Sequence, residues 1–149
     1  MTGDEIVFRE ATAADMPAIS DVRQSVIENP LTIEQLAARG ITNESVAASF
    51  LEDSKGWVAG TGGRIVGFSI ADRAERTIFA LFVRPEHEKR GIGGQLLDLA
   101  VHWLWDNGAR DLWLTTAPGT KAARFSERRG WRVAGDGEHG DVRYELRRE

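Results

Sequence analysis

Cysteine is absent from the 149 residues, which removes disulfides, thiolate zinc sites and any cysteine nucleophile. Positive charge is not in excess either: 19 Lys and Arg against 23 Asp and Glu give a net charge of -4. Non-specific nucleic-acid binding works through a basic field, so no nucleic-acid partner is expected. No apolar run approaches the roughly 20 residues of a membrane span. Met1-Thr2-Gly3-Asp4-Glu5 lacks the basic flank and apolar stretch of a signal peptide. Histidine occurs at His87, His102 and His139. His139 stands near Asp136, Glu138 and Asp141, but no ligand spacing connects them, and no metal is expected. What is present is ordinary for a globular chain: 42% hydrophobic and 28% charged residues, without repeat, linker or low-complexity tract. The expectation is one domain over 1–149, cytoplasmic, with no membrane partner.

Residues 6–9 read as a short strand, ending where Thr12 can cap a helix and Asp15 complement its positive end. Met16, Ile19, Val22 and Val26 follow at spacings of three and four, an apolar stripe that Asn29-Pro30 ends. Two shorter helices are expected, over 33–39 with Gly40 as stop, and from Asn43 or Glu44 to Leu51. From Lys55 the period changes to two: 56–60 and 65–71 are strands joined through Thr61-Gly62-Gly63-Arg64, a hairpin signal. Residues 78–83 are apolar at every position, which predicts a strand covered on both faces at the sheet centre. Over 93–107, Gln95, Asp98, His102 and Asp106 recur at three, four and four among Leu96, Leu97, Ala100, Val101 and Leu104. That is a largely buried helix, stopped by Asn107-Gly108. A strand over 112–116, a helix over 120–129 stopped by Gly130, and a closing hairpin of 131–133 with 142–146 complete the chain. Trp57 and Trp113 alternate on strands, whereas Trp103 and Trp105 cannot share one helix face. One of that pair is expected to mark an exposed patch or a homodimer contact. Tyr144, the sole tyrosine, is expected in the core or in a cross-strand role.

The informative unit is strand 78–83, helix 93–107, strand 112–116, which implies a parallel pair with a right-handed crossover. Ligands of such sheets gather beyond the carboxyl ends of the strands, here between Val83 and Gln95. That segment places Gly91, Gly93 and Gly94 at the start of a helix, behind Arg84, Lys89 and Arg90. First-turn N–H groups and the helix dipole favour an anion there, and glycines remove the Cβ atoms that would hold it away. The same glycines also fit a simple turn. No Gly-Lys-Ser/Thr closes a Walker loop, and the third glycine is misplaced for the dinucleotide pattern.

Glu88-Lys89-Arg90-Gly91-Ile92-Gly93 resembles the Gln/Arg-x-x-Gly-x-Gly/Ala motif of the GNAT superfamily of N-acetyltransferases, with Glu88 in place of Gln or Arg. Phe125-Ser126-Glu127-Arg128-Arg129-Gly130-Trp131 is similar to that family's second motif, Phe-Tyr-x-x-x-Gly-Phe/Trp, with Ser126 in place of Tyr. The hairpin, central strand, crossover helix and closing hairpin follow the family's order along essentially the whole chain. The fold this implies is α/β: a mixed, mostly antiparallel sheet of six to seven strands, about four flanking helices, and one parallel crossover through 78–83, 93–107 and 112–116.

The resemblance implies acetyl-CoA as co-substrate and direct attack by a primary amine, on a small molecule or a protein, in a ternary complex. It implies pantetheine along Leu81, Phe82 and Val83, and pyrophosphate over the amides of Lys89, Arg90, Gly91, Ile92, Gly93 and Gly94. Phe125 would pack on the pantetheine arm. Lys121, Arg124 or Arg128 would approach the 3′-phosphate, unless they form a solvated helix face. The Val83 or Phe82 N–H would stabilise the carbonyl oxygen. Ser126 stands where the family's acid stands, and Glu28, Asp72 and Glu75 are the carboxylates considered for the base. Glu28 and Asn29 could instead recognise the acceptor. Two other classes stay open on these residues: an acyl-CoA-binding sensor without turnover, and a nucleotide-phosphate binder that shares only the glycine loop.

Overall fold

The computed structural model describes residues 5–26 and 31–148. Strand β1 (Val7–Glu10) leads through a single 3-10 turn into helix α1 (Met16–Gln24), followed by α2 (Ile33–Ala38) and α3 (Asn43–Ser49). Strands β2 (Ser54–Thr61), β3 (Arg64–Asp72) and β4 (Thr77–Val83) come next, then the long helix α4 (Ile92–Asp106). Strand β5 (Asp111–Thr116), helix α5 (Lys121–Arg128) and strands β6 (Arg132–Asp136) and β7 (Val142–Arg147) finish the chain. The seven strands form one sheet in the order β1-β2-β3-β4-β5-β7-β6. β4 and β5 pair in parallel, and the other neighbours pair antiparallel.

The elements form for local reasons. Thr32 and Thr42 cap α2 and α3, each hydroxyl accepting the N–H three residues on at 3.0 Å. The β2–β3 hairpin turns through Gly62 and Gly63, both at positive φ (57° and 80°), a conformation that side-chain-bearing residues seldom adopt. Helix α1 buries Met16, Ile19 and Val22 and ends at Gln24, so Val26 lies past its end. Asn29-Pro30, the expected stop, lies outside the described residues.

Two apolar layers sandwich the sheet. On one face α4 buries Ile92, Leu96, Leu97, Ala100 and Leu104 against Val66, Ile78 and Leu112. The predicted polar stripe of Gln95, Asp98, His102 and Asp106 is exposed, as its spacing requires. On the other face Ile19 and Val22 of α1 and Val46 of α3 meet Val58, Phe68 and Ile70.

Two expectations need correction. β4 lies at the sheet centre, but only Thr77 and Ile78 are buried; Phe79 is 46% exposed and residues 80–83 are half-buried. The cause is a divided sheet. β4 pairs with β5 only at Thr77↔Trp113, and the β3–β4 register slips so that Phe79 bulges between Ala80 and Ile78. Neither Trp103 nor Trp105 marks an exposed patch. Trp103 meets Trp57 edge-on with centroids 5.9 Å apart, and the Arg148 guanidinium lies 5.9 Å from the Trp105 ring, leaving both indoles half-buried.

Candidate functional site

The parting of β4 from β5 makes a wedge in the middle of the sheet. Its vertex is fixed by the Thr77 hydroxyl donating to the Trp113 carbonyl at 2.7 Å, and by Trp113 Nε1 donating to the Glu75 carbonyl at 2.8 Å. Towards the other end, the Arg84 N–H donates back to the Val66 carbonyl at 2.8 Å, on the β3 side. Backbone groups alternate along a strand, so the N–H groups of Leu81 and Val83 turn to the β5 side, into the wedge.

At the open end of the wedge the chain passes through a turn at Pro85–His87 and enters α4. Lys89 and Gly91 both take left-handed φ, 66° and 80°. Gly91 is the N-cap and offers no side-chain bond, so the first-turn amides of this fifteen-residue helix point outward with the positive end of its dipole. A Cβ on Gly93 would meet Val83 Cγ2 at 3.7 Å and Phe125 Cζ at 3.8 Å, which places Phe125 beside both the helix start and the end of β4. Arg90 Nη1 donates to His87 Nδ1 at 3.2 Å; a guanidinium has no acceptor, so that ring nitrogen accepts. Glu88 pairs with Lys121 of α5 at 3.3 Å, tying the loop to the helix across the opening. Arg129 covers the first turn of α4, bonded to Asp98 at 2.8 Å with its guanidinium 5.6 Å from the Phe125 ring.

The structure thus gathers Leu81, Phe82, Val83, Lys89, Arg90, Gly91, Ile92, Gly93, Gly94 and Phe125 around one end of the wedge. Other residues considered from sequence fall elsewhere. Ser126 is 5% exposed and its hydroxyl donates to the Ala122 carbonyl at 3.0 Å, a bond within its own helix. Asp72 is a turn residue: its Oδ1 accepts the N–H groups of Ala74 and Glu75 at 2.8 and 3.2 Å. Asp72 and Glu75 both lie beside the closed vertex, the far end of β4 from Val83. Glu28 and Asn29 lie outside the described residues. Arg124 donates to the Gly119 carbonyl at 3.0 Å. Arg128 lines a groove of about 460 Å³ with Leu97, Val101 and Trp131. A second groove, of about 370 Å³, lies against the β2–β3 turn. Tyr144 is core, its hydroxyl donating to Glu127 at 2.7 Å; that bond, then burial, pushes its pKa up. Among the described residues no three His, Asp or Glu gather to hold a metal ion, and no helix is long and apolar enough to cross a membrane.

Sequence reasoning missed Arg23, whose guanidinium lies 4.8 Å from the Phe82 ring centroid. Its spacing of four from Ile19 was the available signal, since that sets it on the edge of the apolar stripe of α1. It also missed the Phe79 bulge, which depends on strand register and has no local sequence mark.

The family model described as "Acetyltransferase (GNAT) family" matches residues 24–131. Among solved structures, the PaiA N-acetyltransferase of Thermoplasma acidophilum in complex with coenzyme A superposes with a TM-score of 0.79 at 17% identity, covering 97% of this chain and 99% of that one. The Escherichia coli ribosomal-protein-S18-alanine N-acetyltransferase gives 0.71 at 19% identity, over 96% and 94% of the two chains. The yncA protein of Salmonella typhimurium, solved with its cofactor acetyl-CoA, gives 0.74 at 18% identity, over 97% and 94%. No curated protein sequence matches the chain.

Proposed function

The chain belongs to the GNAT acetyltransferase family, and from that premise we propose that it moves an acetyl group from acetyl-CoA to a primary amine by direct attack in a ternary complex. One observation carries the reading: the wedge between β4 and β5 opens at the uncapped, glycine-rich start of α4. An extended pantetheine arm suits the wedge-facing edge of β4 as an added strand would, held at the Val83 N–H beside the phosphates. A pyrophosphate suits the amides of Lys89, Arg90, Gly91, Ile92, Gly93 and Gly94. Phe125 packs against the arm near Gly93.

In this reading the Leu81 N–H, deeper in the wedge than Val83, donates to the carbonyl oxygen as negative charge develops there, while Val83 holds the arm beside the phosphates. The amine nitrogen bonds to the acetyl carbon, the carbon–sulfur bond breaks, and coenzyme A leaves as the thiolate. The proton lost by the amine balances the one the thiolate gains, through solvent. A thiol with a pKa near 8.5 is a fair leaving group without a dedicated acid, which suits a Ser126 hydroxyl already donating to Ala122. Glu28 is the carboxylate of this reading, either as the base that passes the amine proton to solvent or as a contact for the acceptor.

The test is calorimetric titration with acetyl-CoA. Affinity on the order of micromolar, about 8 kcal/mol, is expected. Gly93→Glu is expected to weaken it at least about ten-fold, because the fold has room for a Cβ there while a carboxylate repels phosphate. No binding by the folded protein would overturn the proposal. Ser126 also favours a second reading, a sensor that binds acyl-CoA without turnover. Thiol release separates the two cleanly, since the protein has no thiol of its own; sustained release with any amine removes the sensor.

A further inference from the structure

Arg23 sits in the last turn of α1, with its guanidinium over the face of Phe82 at 4.8 Å. Phe82 precedes Val83 on β4 and packs with the α1 layer, on the opposite face of the sheet from α4. The cation therefore stands over the open end of the wedge, but not on the phosphate-loop side. Arg23 is half-buried; burial first, then the charge of Arg39 at the end of α2, pushes its pKa below the ordinary arginine value. Arg39 thus adds its positive charge to the field at the Arg23 corner of a chain whose net charge is -4. A guanidinium stacked on a ring is held in orientation, and its N–H edge matches a carboxylate. The corner is braced, because Ser20 of α1 donates to Asn43 of α3 at 2.6 Å.

We propose that the acceptor is an amine that also bears a carboxylate, with Arg23 holding the carboxylate on the α1 side of β4 and the amino group reaching the acetyl carbon beside Leu81. This rests on the acetyl-transfer reading above and adds the charge of the acceptor to it.

The experiment compares amino acids with their own amides as acceptors in the thiol-release assay. The amide amine is the less basic of each pair and more of it is unprotonated at neutral pH, so intrinsic reactivity opposes the expected result. The amino acids are expected to show KM values at least about ten-fold lower than their amides. Arg23→Gln is expected to raise the KM of the acid to the level of its amide, with kcat changed less and acetyl-CoA affinity within about two-fold of wild type. Arg23→Lys is expected to keep part of the preference. If Arg23→Gln does not fold, Arg39→Gln, at an exposed position, is expected to reduce the preference several-fold. Wild-type amides used as well as the acids, or a preference untouched by these variants, would overturn the proposal. Should no amine release coenzyme A, the transfer reading is what fails. Titration of the CoA-bound protein with N-acetyl amino acids against N-acetyl amino amides then decides the carboxylate site alone: preference for the acid supports it, and equal binding sinks it.

Discussion

Arg9 reaches from β1 to Asp15 through two N–H···O bonds of 2.8 Å, and the same carboxylate accepts the Thr12 N–H at 2.8 Å. The Arg9 bond is the largest cause of an Asp15 pKa lowered from 3.8 to about 2. A carboxyl whose folded pKa is lowered adds stability above its unfolded pKa and loses it as pH falls through the folded one. The stabilisation is therefore whole at neutral pH and disappears between about pH 4 and pH 2. With Arg9 half exposed to screening solvent, it amounts to about 1–2 kcal/mol. Asp15→Asn is expected to lower unfolding stability by that amount at pH 7 and by little at pH 2, as read by urea denaturation. An equal loss at both pH values would show that packing, not charge, holds Asp15.

Helix α4 approaches the sheet over Gly67 of β3, where an added Cβ would lie 3.1 Å from Leu96 Cδ1, 3.2 Å from the Phe82 carbonyl oxygen and 3.3 Å from Ile92 Cγ2. A backbone oxygen cannot step aside as a side-chain tip can. Gly67→Ala is expected to cost about 1–3 kcal/mol by overpacking and to weaken acetyl-CoA binding, since the contact touches the first turn of α4. Unchanged thermal stability would contradict the close approach. This element was legible in sequence because its cause is local: the polar spacing of Gln95, Asp98, His102 and Asp106 fixes the buried face. The glycines at its start were legible for the same reason, since Gly91 is its N-cap and Gly93 and Gly94 lie in its first turn. The half-open state of β4 was not. An unbroken apolar run reads as buried on both faces, whereas here the register slip at Phe79 and the single Thr77↔Trp113 pairing open the strand. Both are set by partners far away along the chain. Arg23 over Phe82 and the Ser126 bond within its own helix belong to the same class, decided by packing.

At the scale of the whole molecule, the proposed donor spans both halves of a divided sheet, so its binding should be felt globally. Acetyl-CoA at about 100 times its Kd adds about 2.7 kcal/mol of stability, which for a chain of this size raises Tm by roughly 10 °C. The Gly93→Glu protein is expected to melt at nearly the same temperature with and without it. A ligand-independent Tm in the wild type would count against the donor site. The division has a further consequence. A sheet parted at its centre has four edges, and exposed strand edges are where foreign chains attach and aggregation begins. The outer two are blunted chemically: β1 is four residues long, and β6 carries Arg132 and Asp136 and a register slip between Val133 and Gly135. Of the inner two, β4 and β5, the β4 edge carries Phe79, Leu81, Phe82 and Val83, sequence of the adhesive kind. They are protected by shape alone, because a wedge closed at Thr77 and Trp113 admits one extended strand and offers the next one nothing to pair with.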